Sequence, residues 1–133
     1  MAQASRALVE RNDGEAVEAV CVSSTFSTTV AVGADDRALI PAITWMDSRG
    51  ARHVRDVMKG PVSVAGYGVG KLARWVPITG GGPTLSGKDD AAHVLLVKHE
   101  MPDVYRDTEV FLPSKDYLNL RLCGRRAATY DSV

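Results

Sequence analysis

The chain has 133 residues, with 16 Lys+Arg against 16 Asp+Glu, 45% hydrophobic and 24% charged residues. This is a globular composition, which excludes disordered and fibrous chains, and the length allows one domain at most. A net charge of zero excludes a generally basic binder of nucleic acid or of anionic membrane.

Residues 5–11 read as the tail of a helix, and Asp13-Gly14 is a turn signal before a short strand over 16–22. Its apolar residues fall on both faces, which predicts a central, covered strand. A polar stretch with one aromatic, Ser23-Ser24-Thr25-Phe26-Ser27-Thr28, leads into a second strand, Thr29-Val30-Ala31-Val32. Gly33 to Arg37 turns the chain. Ala38 to Trp45 then runs extended, and Pro41 makes that segment an edge or a broken strand.

Asp47 or Ser48 is placed to cap a helix through about Lys59, with Ala51, Val54, Val57 and Met58 on one stripe. Gly60-Pro61 ends it. Eight of the 12 glycines lie between Gly60 and Gly87, which marks a loop-rich insertion at about 60–88 around a short helical piece, 71–76. Asp89 and Asp90 open the next helix, Ala92, Leu95 and Leu96 form its stripe, Lys98 and His99 suit its end, and Pro102 stops it. Val110-Phe111-Leu112 reads as a buried strand. Ser114 caps a short helix that Gly124 ends in the left-handed region, and residues 127–133 begin a strand or loop and break off. Strands alternating with helices imply an α/β sheet, but with too few strands to be covered on both faces, so the chain reads as part of a larger fold.

The chemistry-bearing patterns can be tested by spacing. Gly66-Tyr67-Gly68-Val69-Gly70-Lys71 invites a phosphate-loop reading, but Ala65 stands where the first Gly is needed and Leu72 where Ser or Thr must follow the Lys. A surface loop is the better reading. No two of His53, His93 and His99 have the i, i+4 spacing of a helical metal site, so exposed or helix-terminal histidines are expected. No serine sits in a G-x-S-x-G elbow, and Arg121, Arg125 and Arg126 suit a helix C-terminus better than a nucleic-acid surface. Cys21 and Cys123 lie far apart in apolar surroundings, which predicts buried, reduced thiols. No apolar run approaches the roughly 18–20 residues that span a bilayer, and the N-terminus has no signal-peptide core, so the expected compartment is the cytoplasm.

Trp45-Met46-Asp47-Ser48-Arg49 admits two readings. An aromatic face packs on a sugar ring while the Asp accepts hydrogen bonds from hydroxyls, or Asp47 bonds backbone N–H groups at a helix start and Arg49 pairs locally. Residues 42–50, together with Pro113-Ser114-Lys115-Asp116-Tyr117-Leu118-Asn119-Leu120-Arg121-Leu122-Cys123-Gly124 and Thr129-Tyr130-Asp131-Ser132, resemble in order the N-terminal domain of FGGY carbohydrate kinases, xylulokinases in particular. The resemblance runs from about Ala16 to Val133.

The resemblance implies an α/β fold, part of an actin-like, ribonuclease-H-like domain with an incomplete mixed sheet and flanking helices, spanning 1–133 as a partial sugar-binding domain. It implies a kinase that moves the ATP γ-phosphate to a sugar or polyol, with a xylulose-like pentulose favoured and Mg²⁺ balancing the charge. The family's phosphate turn would precede Met1, and its catalytic Asp and ATP domain would follow Val133. No catalytic residue is therefore expected in this chain, nor any binding of ATP or Mg²⁺ by it alone. The substrate positions that fall inside it are Thr25, Phe26 and Ser27, where the family carries Gln-Met-His or Gln-Arg-Glu, and Asp47, as a direct or indirect contact. Many members also carry Lys-Leu-x-Trp on a helix before a Pro. Here that pattern is split between Lys71-Leu72-Ala73-Arg74-Trp75 and a separate helix ending at Pro102. Expected partners are a small sugar or polyol, the remainder of the kinase and a second copy of the chain, with no nucleic acid and no membrane. The other reading is a non-catalytic module of the same fold that binds a sugar or a protein.

Overall fold

The computed structural model describes residues 2–12, 14 and 17–128. In chain order the elements are α1 (Ala2–Arg11), β1 (Thr29–Val32), α2 (Ala51–Met58), β2 (Ser63–Val64), β3 (Tyr67–Gly68), α3 (Val69–Thr79), α4 (Asp90–Glu100), α5 (Pro102–Asp107), β4 (Val110–Pro113) and α6 (Ser114–Cys123). This is a mixed helix and strand arrangement built on a small antiparallel sheet.

β1 pairs antiparallel with β4, Thr29 opposite Pro113 and Val32 opposite Val110. Both strands fall where β-branched and aromatic residues cluster. Because side chains alternate along a strand, Val30 and Val32 join Leu112 and Leu120 in one buried cluster, against which Val110 and Tyr117 pack. That face belongs to α6. On the other side Phe111 packs against Ile43, Leu96 and Val97, and Thr29 meets α4 through its hydroxyl. The two-stranded pair is therefore covered on both faces by helices.

The edge segment behaves as Pro41 requires. Residues 38–45 touch β1 only through isolated bridges at Ala38 and Ile43, one on each side of the proline. The 33–37 turn is held from a distance as well, since the Arg126 guanidinium donates to Asp36 Oδ1 at 2.6 Å and to the Gly33 and Ala34 carbonyls. Arg121 donates to the Asp36 carbonyl. These two arginines thus serve a turn rather than the end of α6.

A third buried cluster, Val54, Met58 and Ala92, joins α2 to α4, with Tyr67, Leu72 and Trp75 packed against it. The region 60–88 holds more structure than a loop. Its hairpin reverses through Ala65 (φ 52°) and Gly66 (φ 87°), the paired left-handed residues of a two-residue turn. Helix α3 then runs well past 71–76.

Several expectations change. Residues 17–22 form no strand and are largely exposed, because the described residues give them no strand to pair with; position 16 and Asp13 lie outside the described residues. Cys21 is exposed for the same reason, and Cys123 is exposed at the end of α6; both are free thiols. The residue capping α2 is Gly50, not Asp47 or Ser48, because the Asp47 carboxylate is taken by Arg49. Pro113 precedes α6 without a side-chain cap, while the Ser114 hydroxyl meets Ser24 at 2.8 Å. Pro102 does stop α4, and it also starts α5, where a missing N–H costs nothing. Asp89 and Asp90 open α4 as expected, and the Asp89 carboxylate caps it by accepting from the Ala92 N–H at 3.0 Å; Gly124 ends α6 with φ 69°. The stretch 129–133 lies outside the described residues.

The approach of α2 to α4 leaves no room at Gly50, where an added β-carbon would fall on the Ala92 carbonyl. Gly50→Ala is expected to destabilise the chain by about 2–3 kcal/mol, as overpacking does. Gly70, in α3, meets nothing within 4 Å, so Gly70→Ala should be neutral or stabilising by up to about 1 kcal/mol. Urea unfolding of the two variants measures the contrast.

Candidate functional site

The polar stretch after residue 22 forms a ledge at the start of β1. Ser27 is buried and held at φ 50°, a left-handed conformation that a non-glycine residue adopts only when its surroundings impose it. The fixing bond is its hydroxyl, which donates to the Lys88 carbonyl at 2.8 Å. Phe26, by contrast, is 81% exposed.

Beside this ledge, the turn after the edge segment presents Trp45, 46% exposed, and the Lys88 ammonium lies 5.7 Å from the centre of its ring. That is cation–π range. Thr25, Phe26, Ser27, Trp45 and Lys88 together line a cavity of about 290 Å³. A second cavity of about 230 Å³ shares Thr25, Phe26 and Ser27 and adds residues 22–24, Asp90, Pro113 and Lys115. Two exposed aromatic faces beside hydroxyls and charged groups suit a ligand that has both C–H faces and hydroxyls.

Asp47 lies elsewhere. It lines a neighbouring cavity of about 320 Å³ with Arg49, Met101 and residues 40–44. Its carboxylate accepts from the Arg49 N–H at 3.0 Å and from the guanidinium at 2.6–3.1 Å. The hydrogen bond from Arg49 holds the Asp47 carboxyl below the usual carboxylate range. The structure thus brings Thr25, Phe26 and Ser27 together with Trp45 and sets Asp47 apart, in the locally paired arrangement that was one of the two readings of its motif.

Three residues near the ledge carried little signal as site residues. Lys88 sits in a Gly-rich stretch, Asp90 reads as an ordinary first-turn acid, and His93 is one of three histidines expected to be exposed or helix-terminal. His93 is instead fully buried, with Nδ1 2.9 Å from Thr29 Oγ1, because the inner face of α4 lies directly on β1. The i, i+3 spacing of Asp90 and His93 was the one available clue.

Among the described residues no group of three or more His, Cys, Asp or Glu stands together as metal ligands. The Gly66 to Lys71 stretch is a hairpin and a helix start, and Lys71 Nζ donates to the Val57 carbonyl. Lys71 is thereby engaged by a backbone carbonyl, and no step of phosphoryl transfer follows from the described residues.

The family model for FGGY carbohydrate kinases, N-terminal domain, matches residues 1–132. The chain belongs to this family. FGGY kinases are ATP- and Mg²⁺-dependent sugar phosphotransferases, and their N-terminal domain has an actin-like ATPase-type fold. Among solved structures the FGGY chain is similar to "xyloylose kinase" from Brucella ovis, at 24% identity and TM-score 0.68, covering 92% of this chain and 22% of that one. It is similar to gluconate kinase from Lactobacillus acidophilus, at 23% identity and TM-score 0.67, covering 90% of this chain and 22% of that one. Xylulose kinase from Bifidobacterium adolescentis follows at 18% identity and TM-score 0.62, covering 85% and 23%. The FGGY chain thus spans a little over a fifth of the length of these structures. Among curated proteins there is no significant match. Among the described residues no helix is long and apolar enough to cross a membrane.

The Asp47 pair makes a pH prediction. A carboxyl whose native pKa is lowered contributes stability that is complete above its unfolded pKa of about 3.9 and is lost as pH falls through the lower native value. Arg49→Gln should therefore shrink the loss of stability between pH 5 and pH 2, counted as roughly that window. Urea midpoints of parent and variant across that range test it, and parallel curves would argue that the pair contributes nothing.

Proposed function

We propose that this chain supplies the substrate side of an ATP-dependent sugar kinase, and that the cavity walled by Thr25, Phe26, Ser27 and Trp45 receives a sugar or polyol. A xylulose-like pentulose is the favoured acceptor. The observation that carries this reading is that two exposed aromatic side chains, Phe26 and Trp45, line one cavity together with the Thr25 and Ser27 hydroxyls. Large aromatics left in water side by side are costly unless something covers them, and a sugar's C–H face does so. Support for the acceptor class comes from family membership and from the likeness to kinases of xylulose.

In this reading Ser27 offers only lone pairs to a ligand, because its single hydroxyl proton goes to Lys88. Asp47 shapes the turn that presents Trp45, in which the Asp47 N–H donates to the Thr44 carbonyl at 2.9 Å, and it takes no role as a base. Residues 60–88 act as an insertion on the partial domain 1–133, and the setting is the cytoplasm. Phosphoryl transfer needs nucleotide, metal, base and acceptor held together, so the chain alone binds sugar without phosphorylating it.

Two measurements on the chain test this. A coupled assay for ADP with ATP, Mg²⁺ and D-xylulose should show no sugar-dependent turnover, and sustained turnover would overturn the inactive reading. Tryptophan fluorescence and amide NMR should report saturable binding of D-xylulose, weakened about threefold to tenfold by Phe26→Ala or Trp45→Ala. Absence of saturable binding by the parent chain would remove the sugar-site assignment.

A further inference from the structure

Helix α4 opens with two adjacent carboxylates that have different tasks. Asp89 is the cap: Oδ1 accepts from the Ala92 N–H at 3.0 Å and Oδ2 from the Thr84 N–H at 2.6 Å. Asp90 is spared that duty. Its side chain is 35% exposed and lines the cavity of about 230 Å³ beside Thr25, Phe26 and Ser27, on the same ledge as the proposed sugar site.

One oxygen of Asp90 is held from beneath. Thr29 Oγ1 donates to Asp90 Oδ1 at 2.6 Å, and His93 Nδ1 lies 2.9 Å from the same hydroxyl. A hydroxyl has one proton, and a carboxylate can only accept, so the Thr29 proton goes to Asp90. His93 Nδ1 must then carry its own proton and donate it to Thr29 Oγ1. The result is a directed row, His93 to Thr29 to Asp90, anchored on a fully buried ring whose Nε2 has no hydrogen-bond partner among the described residues.

We infer that Asp90 is a further substrate-contacting residue, which accepts hydrogen bonds from sugar hydroxyls, and that Thr29 and His93 are positioning residues that aim it. The inference rests on the sugar-binding reading above and extends it. A carboxylate held at one oxygen keeps lone pairs for further donors, and vicinal hydroxyls are the donors that a sugar or polyol offers. Phe26, which lines both cavities, then takes a C–H face, and Asp90 reads the hydroxyl edge. A hydroxyl-rich ligand is the chemical class that this combination selects.

The test uses the whole chain with D-xylulose and its monodeoxy analogues, followed by tryptophan fluorescence and amide NMR. Asp90→Asn should weaken D-xylulose binding about tenfold, the scale of a hydrogen bond to a charged group. One monodeoxy analogue should bind the parent about tenfold more weakly than D-xylulose and bind Asp90→Asn no worse than D-xylulose does. A purely structural role for Asp90 would not produce that hydroxyl-specific coupling. Thr29→Val should reproduce part of the loss and Thr29→Ser should restore it, and this pair carries the test should Asp90→Asn fail to fold. Unchanged affinity in Asp90→Asn, with Phe26→Ala still impaired, would overturn this inference alone. No saturable binding by the parent chain would overturn the sugar-site reading and this inference with it.

Discussion

The close approach of α2 and α4 is the constraint on which the remaining geometry depends. Where the two helices begin, backbone lies against backbone: a β-carbon at Gly50 would fall on the Ala92 carbonyl, and one at Gly87 on the Ala51 backbone. Gly87 also has φ 78°, so both space and conformation call for glycine there. Bringing the helix starts together seats Val54 and Met58 on Ala92, and it turns the opposite face of α4 onto β1. The contacts near the candidate site follow from this. Lys88, one residue past Gly87, reaches the ring of Trp45, five residues before Gly50, and the Lys88 carbonyl receives the Ser27 hydroxyl.

Charge is used locally rather than globally. A net charge of zero gives no field to steer a ligand, but short-range pairs set individual groups: Arg49 on Asp47, Arg126 on Asp36, and Arg52 with His53 on Glu100. His53 holds the Glu100 carboxyl below its usual range, and His53 itself stacks on His99 with ring centres 4.8 Å apart. Most of these pairs are exposed and individually weak, so their main effect is to fix turns and helix ends. The Asp90 row differs, since it is built on a ring that no solvent reaches.

Much of the architecture was legible in the sequence where local signals and burial agree. Thr29–Val32, the Asp89 cap, the Gly124 stop and the break at Pro41 all rest on short-range chemistry that tertiary packing leaves in place. Over 17–22 the expected strand is not realised because a strand is a property of a pair: β-branched residues propose it, and only a neighbouring edge makes it. The helix caps expected at Asp47 and Ser114 failed for a related reason, since a carboxylate or hydroxyl beside an alternative partner bonds that partner instead. Of the candidate site, Thr25 to Ser27 could be named from motif order. Lys88 and Asp90 could not, because their position depends on the helix approach, of which the i, i+3 spacing of Asp90 and His93 is the single trace.

The departures of Phe26 and Ser27 from the family patterns can be weighed against this geometry. An imidazole or an Arg-Glu pair at the ledge would bring donors and acceptors to the ligand directly, whereas Phe26 brings only an apolar face and Ser27 only lone pairs. A site that lost polar recognition there without replacement would hold a hydroxyl-rich ligand poorly, because sugar hydroxyls removed from water need partners. Asp90 and Lys88 stand where such replacement has to come from, Asp90 on the first turn of α4 and Lys88 just ahead of it. Recognition in the proposed site is accordingly divided, with aromatic surface on the ledge and the Trp45 turn, and charge at Lys88 and Asp90. Such a division would tie the affinity of the proposed site to the helix contact at Gly50 and Gly87, since a shift of α4 against α2 would move its charged half relative to its aromatic half.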